Sequence, residues 1–191
     1  MDTDEEGAAP MITQFLHRIR TFASNLRPRR ITPSVPPFTV TDTNGREVHY
    51  RPYRESDFES LVSMYGDFDP TQRAQGVPPL TTEEIQEWIS SVLGGVNVVA
   101  IINDEVVGHI GFVPDGTDRH ELMIFVHQDY QQAGIGSNLM GAGLGHARET
   151  GVGYVWLSVE KTKRYQQRFY SKAGFSAVNP MGMTYRMSRS L

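Results

Sequence analysis

The stretch from Glu121 to Thr150 constrains this chain more than any other. It opens with an apolar run, Leu122-Met123-Ile124-Phe125-Val126, whose length and polar flanks suit a buried β-strand. A polar connection, His127 to Gln132, leads into Ala133-Gly134-Ile135-Gly136-Ser137. After it Leu139, Met140, Leu144 and Ala147 recur at helical spacing up to Gly151. Strand, glycine turn and helix in that order leave unpaired backbone N–H groups at the helix start, aligned with the positive end of the helix dipole. Such a place suits a phosphate or pyrophosphate, and glycine at 134 and 136 lets the ligand approach the backbone closely. Two common nucleotide motifs do not fit. A dinucleotide fingerprint would need glycine or alanine where Leu139 stands, and a P-loop would need a Gly-Lys-Ser/Thr ending that is absent.

The rest of the chain reads as an α+β domain around that segment. Phe38-Thr39-Val40 and Glu47 to Arg51 flank an Asn44-Gly45 pair, a strong hairpin signal. Glu55-Ser56-Asp57 precedes a helix through Phe58, Leu61, Val62 and Tyr65, which Asp69-Pro70 stops. Thr81-Thr82-Glu83-Glu84 has the form of a capping box opening a helix through Ile85, Trp88, Ile89 and Leu93. Val96 to Ile102 and Val106 to Val113 form a hairpin, and Tyr154 to Val159 a further buried strand. A helix from Lys161 to Ala173 ends at Gly174, and two strands close the chain. This order predicts a mixed central sheet with helices on both faces. Gly141, Gly143 and Gly145 lie inside a helix, where each costs up to about 1 kcal/mol relative to alanine, so close packing of that helix on the sheet is expected.

Before this domain, Met11 to Leu26 has the pattern of an amphipathic helix with basic residues off its apolar face and three more arginines just beyond. It could dock on its own domain, on a second copy in a homodimer, or weakly on an anionic membrane surface through residues 11–30. Pro33, Pro36 and Pro37 then read as a spacer, placing the boundary between a 1–37 extension and a 38–191 domain. Net charge is −4, and residues 38–191 carry 13 basic against 18 acidic groups. That balance argues against nucleic-acid binding and favours a cationic amine as partner. Cysteine is absent, excluding disulfides and a cysteine nucleophile. The six histidines show no paired ligand spacing, so no metal site is expected. No apolar run is long enough for a transmembrane helix, and the acidic start is wrong for a secretory signal, so a cytoplasmic location is expected.

Gln131-Gln132-Ala133-Gly134-Ile135-Gly136 resembles the acetyl-coenzyme A signature of the GNAT N-acetyltransferase superfamily, Gln/Arg-x-x-Gly-x-Gly/Ala. The preceding Ile124-Phe125-Val126 is similar to the family's strand before that motif, and Phe169-Tyr170-Ser171-Lys172-Ala173-Gly174-Phe175 to its Leu-Tyr-x-x-x-Gly-Phe. The resemblance covers about residues 47–188. It implies an acetyl-coenzyme A dependent N-acetyltransferase acting by direct transfer to the primary amine of a small molecule or peptide. It also implies that backbone groups of Ile124, Phe125 and Val126 meet the pantetheine arm and the thioester carbonyl, and that Gln131, Gln132, Ala133, Gly134, Ile135, Gly136 and Ser137 receive the pyrophosphate. By the same resemblance Tyr170 is the general acid, and Glu121 or His120 the base. The family's Asn seven residues before the tyrosine is Lys163 here, a departure at the cofactor side. Asp67 and Asp69 fall in a loop that in this family often borders the acceptor. A GNAT-fold module that binds acyl-coenzyme A or a protein partner without efficient catalysis is the alternative.

Overall fold

The computed structural model describes residues 30–73, 76–179 and 183–191. The amphipathic stretch 11–26 lies outside them. Eight strands form one sheet: β1 (Phe38–Thr41), β2 (Glu47–Pro52), β3 (Val96–Ile102), β4 (Glu105–Pro114), β5 (His120–Val126), β6 (Tyr154–Glu160), β7 (Ser176–Asn179) and β8 (Thr184–Ser190). Their order in the sheet is β1-β2-β3-β4-β5-β6-β8-β7. Among the described residues four α-helices accompany them: α1 (Phe58–Gly66), α2 (Thr82–Val92), α3 (Ile135–Glu149) and α4 (Arg164–Lys172). The mixed α+β sheet expected from the sequence is thus present.

Local chemistry fixes the elements. The Asp42 carboxylate accepts from the backbone N–H groups of Asn44 and Arg46, which closes the first hairpin with Gly45 at φ +82°. Left-handed Asn103 and Asp104 turn β3 into β4, a conformation that these short polar side chains tolerate. Thr81 and Glu84 make both bonds of the capping box at the start of α2.

Strand alternation gives each face its own core. Val98, Ala100, Ile110, Phe112 and Leu122 face α3 and meet Leu139, Met140 and Leu144. Val99, Ile101 and Phe125 face α1 and α2 and meet Leu61, Tyr65, Ile85 and Ile89.

The compact unit begins at Ile31, seven residues before the boundary at Phe38 that the proline content suggests. The segment before β1 is not a bare spacer. Its Ile31 N–H donates to the Lys172 carbonyl and its Ser34 N–H to the Gly141 carbonyl, both at 2.9 Å. It lies on α3, so the glycines of that helix divide by face. A Cβ on Gly143 would meet Ile110 of the sheet at 2.7 Å, as close packing on the sheet predicts. On Gly141 and Gly145 it would instead meet the backbone oxygens of Thr32 at 2.8 Å and Ser34 at 2.4 Å. Those two glycines make room for the N-terminal segment.

Candidate active site

Strands β5 and β6 are the one parallel pair in this sheet, and they pair only at His120 with Val155 and Glu121 with Trp156. Beyond Glu121 they separate, so Leu122 to Val126 lack a ladder partner on the β6 side and a cleft opens between the strands. A parallel pair needs a crossover, supplied here by α3.

On the α3 side the cleft widens into a cavity of about 760 Å³. Of the residues expected at a cofactor, Ile124, Val126, Gln131, Gln132, Gly134, Gly136 and Ser137 line it. Three do not. Ala133 and Ile135 are 2% and 1% exposed, packed in the core, and Phe125 points to the other face against Tyr65, Phe68 and Trp88. Period-two alternation explains Phe125: its neighbours Ile124 and Val126 face the cavity, so its own ring takes the other side. Gln131 is engaged within the protein, its amide donating to the Gln72 side chain at 2.6 Å and the Val126 carbonyl at 2.9 Å. Tyr165, Gln166 and Phe169 of α4 also line the cavity. The aromatic Gly-Phe motif pointed to that helix, but not to the residues one turn before Tyr170.

The turn has the geometry of an anion cradle. Gly134 is the N-cap of α3 in the left-handed conformation, φ +88°, and no side chain caps the helix. A left-handed residue followed by a helical one aims successive N–H groups into one concavity, where they sum with the helix dipole. A Cβ on Gly134 would be strained by that φ, whereas one on Gly136 would meet only Val126 at an ordinary 3.7 Å. Gly136→Ala should therefore leave coenzyme A affinity within about threefold. Gly136→Asp, which puts a carboxylate beside the cradle, should weaken it at least about tenfold. Calorimetric titration of both variants checks the pair; equal affinities would remove the phosphates from this turn.

A second cavity, about 290 Å³, lies on the α1/α2 side of the same cleft. Glu121 and Tyr170 both line it, and Tyr170 also lines the larger one. Burial pushes the Tyr170 phenol up to about 12, so it is neutral. Glu121 stands at the rim, exposed, yet the protein around it displaces enough water to raise its pKa; Arg186 opposes the rise and Asp115 adds to it. His120 falls on the α3 face of β5 by alternation and lines neither cavity. Asp67 and Asp69 line neither as well. Asp67 pairs with His127 at 3.1 Å, and Asp69 accepts from the Thr71 backbone and hydroxyl. Lys163 caps the exposed start of α4. Among the described residues no group of acidic and histidine side chains could hold a metal, and no helix is long and apolar enough to cross a membrane.

The cleft between the two splayed parallel strands thus joins a glycine turn with no side-chain helix cap, a neutral phenol and a second, smaller cavity. The Acetyltransferase (GNAT) family model matches residues 59–175, and the chain belongs to this family of acetyltransferases. It is 28% identical over 137 residues, 66% of its length, to a mycothiol acetyltransferase of Propionibacterium freudenreichii, and spans 42% of that relative's length. The GNAT domain of S. lividans PAT superposes with a TM-score of 0.68 at 20% identity, over 81% of this chain and 96% of that one. The acetyltransferase yncA of Salmonella typhimurium, solved with acetyl-CoA, gives a TM-score of 0.61 at 19% identity, over 75% and 93%. PaiA N-acetyltransferase of Thermoplasma acidophilum, solved with coenzyme A, gives 0.59 at 16% identity, over 75% and 99%. These structures share its fold.

Proposed function

We propose that this protein moves the acetyl group of acetyl-CoA directly to a primary amine. The observation that carries the reading is that two residues, Ile124 and Tyr170, line both the large cavity at the glycine turn and the small cavity beside Glu121, and of these Tyr170 brings a hydroxyl. A donor thioester and an acceptor amine would therefore meet at its hydroxyl. The larger cavity suits acetyl-CoA in its chemistry: backbone N–H groups for the pyrophosphate at Gly134 to Gly136 and apolar Ile124, Val126 and Phe169 for the pantetheine. When bound, acetyl-CoA supplies an acyl carbon at which the C–N bond forms as the C–S bond breaks, the electron pair leaving on sulfur.

The chain's own groups handle the protons. Glu121 receives a proton from the incoming ammonium, and its raised pKa makes it a better acceptor than an ordinary glutamate. Tyr170 acts on the sulfur. A phenol held near 12 does not transfer its proton fully to a thiolate whose conjugate acid lies near 8.5. It stabilises the departing sulfur by donating a hydrogen bond, and solvent completes the protonation.

Tyr170→Phe should therefore lower kcat by roughly 10- to 100-fold, the low end of acid catalysis, with the dissociation constant for acetyl-CoA barely changed. Thiol release measured with saturating amine, beside calorimetry of the donor, makes the test. An unchanged kcat with weakened donor binding would show that the ring only packs against the cofactor, and would favour a binding module over an enzyme.

A further inference from the structure

The lining of the smaller cavity limits what the acceptor can be. Apart from Glu121, Ser158 and the Tyr170 hydroxyl, the side chains around it are hydrocarbon, aromatic or thioether, led by Trp88, Met123, Phe125 and Leu157. Among the described residues Glu121 is the one carboxylate that lines it. A polyamine or aminoglycoside brings several ammonium groups, and each beyond the first would lose its water with no anion to meet it. A monoamine needs only Glu121 for its nitrogen and gains by burying its hydrocarbon against the opposite wall. At about 290 Å³ the cavity is at the small end of ligand sites, room for one ring and a short chain.

The wall is also braced from behind. Tyr65 stands edge-on to Trp88, centroids 4.9 Å apart, and edge-on to Phe125 at 5.6 Å. Its hydroxyl meets His109 Nδ1 at 2.9 Å, and His109 Nε2 meets Asn97 Oδ1 at 3.0 Å. Asn97 in turn donates to the carbonyls of Val92 and Gly95 just past α2. The ring positions are thereby tied to both the sheet and the end of the helix that carries Trp88. Aromatic walls fixed in this way favour a ring or branched hydrocarbon that can meet them edge to face. A lysine stem, a narrow unbranched rod, would leave much of the width unfilled.

We propose that the acceptor is a small primary monoamine with a compact apolar body, its nitrogen at Glu121 and its hydrocarbon against Trp88, Met123 and Phe125. The proposal rests on the acetyl-transfer reading and narrows it. The test is thiol release from acetyl-CoA with 2-phenylethylamine, isoamylamine, spermidine, kanamycin and a lysine-containing peptide, alongside calorimetry of acetyl-CoA. The expected result is a kcat/KM for 2-phenylethylamine at least tenfold above those of spermidine, kanamycin and the peptide. Met123→Glu, adding a second carboxylate to the wall, should narrow or invert the ratio between 2-phenylethylamine and spermidine, and Met123→Leu should preserve it. Binding can be read without turnover: Trp88 and Trp156 are the two tryptophans, so in a Trp156→Phe chain 2-phenylethylamine should change Trp88 emission saturably in the presence of coenzyme A. If acetyl-CoA binds but spermidine, kanamycin or the peptide is preferred, or no amine binds, the proposal is overturned while the donor site stands. If acetyl-CoA itself does not bind, the acetyl-transfer reading fails and the proposal falls with it.

Discussion

Replacing His109 with alanine is expected to cost the folded state about 3–5 kcal/mol, because it leaves two buried polar groups without partners as well as a void. His109 is 0% exposed. The Asn97 amide nitrogen donates to the carbonyls of Val92, Leu93 and Gly95, so the atom facing His109 is the Asn97 oxygen, an acceptor. The imidazole therefore carries its proton on Nε2, and Nδ1 accepts from the Tyr65 hydroxyl. Every hydrogen-bonding atom is used in the neutral form. A second ring proton would face the Tyr65 hydroxyl, the titratable group in contact with the ring, whose own pKa burial raises well above its ordinary value.

Burial accordingly drops the His109 pKa to about 3. The unfolded chain titrates near 6.5, so below that pH it binds a proton that the folded chain refuses. The stabilisation is fully present above about pH 6.5 and is lost as pH falls towards 3, by up to about 1.4 kcal/mol per unit. Asp57, held low by Arg51 at 2.6 Å and by the Arg54 backbone against the opposing effect of burial, adds a loss only below about pH 4. Between pH 6.5 and 4.5 Glu121, whose pKa is raised, acts in the opposite sense by taking up a proton in the folded chain, so the histidine is read from the difference between the wild type and His109→Gln. Denaturant midpoints for the wild type should fall across this interval relative to those of His109→Gln, whose amide can donate to Asn97 and accept from Tyr65. Parallel slopes would mean that His109 is protonated in the folded protein and that the tautomer assigned here is wrong.

Much of this site was legible in the sequence, because its main signals are local. The glycine turn needs one backbone conformation at Gly134, and the pattern of the next fifteen residues shows the helix that follows it. Alternation along β5 correctly separates Glu121 from His120, and places Ile124 and Val126 together in the cavity. The same rule puts the Phe125 ring with the opposite core, so of this residue only the backbone is left on the side of Ile124 and Val126. The smaller cavity was not legible. Trp88, Met123 and Leu157 come from three separated elements and read in sequence as ordinary core, since only the splaying of β5 from β6 leaves them lining a space. The tethering of Asp67 and Asp69 also depends on partners: Asp67 meets His127, sixty positions away, while Asp69 donates its backbone N–H to the Gln128 side-chain oxygen as well as closing its own turn.

The anchoring of the segment from Ile31 to Val35 is not legible for a related reason: its prolines signal a spacer, and its hydrogen-bond partners lie in α3 and α4, more than a hundred residues on. Gly141 and Gly145, four residues apart, share the helix face beneath it, while Gly143, two residues from each, is turned through about 200° to the sheet. Two effects oppose each other at Gly145. Alanine improves an exposed helix interior by about 1 kcal/mol over glycine. Here its methyl would sit 2.4 Å from the Ser34 carbonyl oxygen and 2.9 Å from the Val35 nitrogen, backbone atoms that cannot rotate away as a side chain could. Overpacking of that kind costs about 1–3 kcal/mol, and it also strains the nearby bond from the Ser34 N–H to Gly141. The clash should win, and Gly145→Ala should lower Tm by several degrees at about 2–4 °C per kcal/mol. A chain beginning at Pro37 lacks the segment altogether; it should be less stable than one beginning at Arg30, having lost the Ile31 and Ser34 bonds and the cover over this helix. In that shortened chain the methyl has nothing to strike, so Gly145→Ala should become neutral or stabilising by up to about 1 kcal/mol. Four melting curves, the substitution with and without residues 30–36, make the test. A Tm change of the same sign and size in both backgrounds would mean that the segment does not rest on Gly145, and the folded unit would then begin at Phe38 after all.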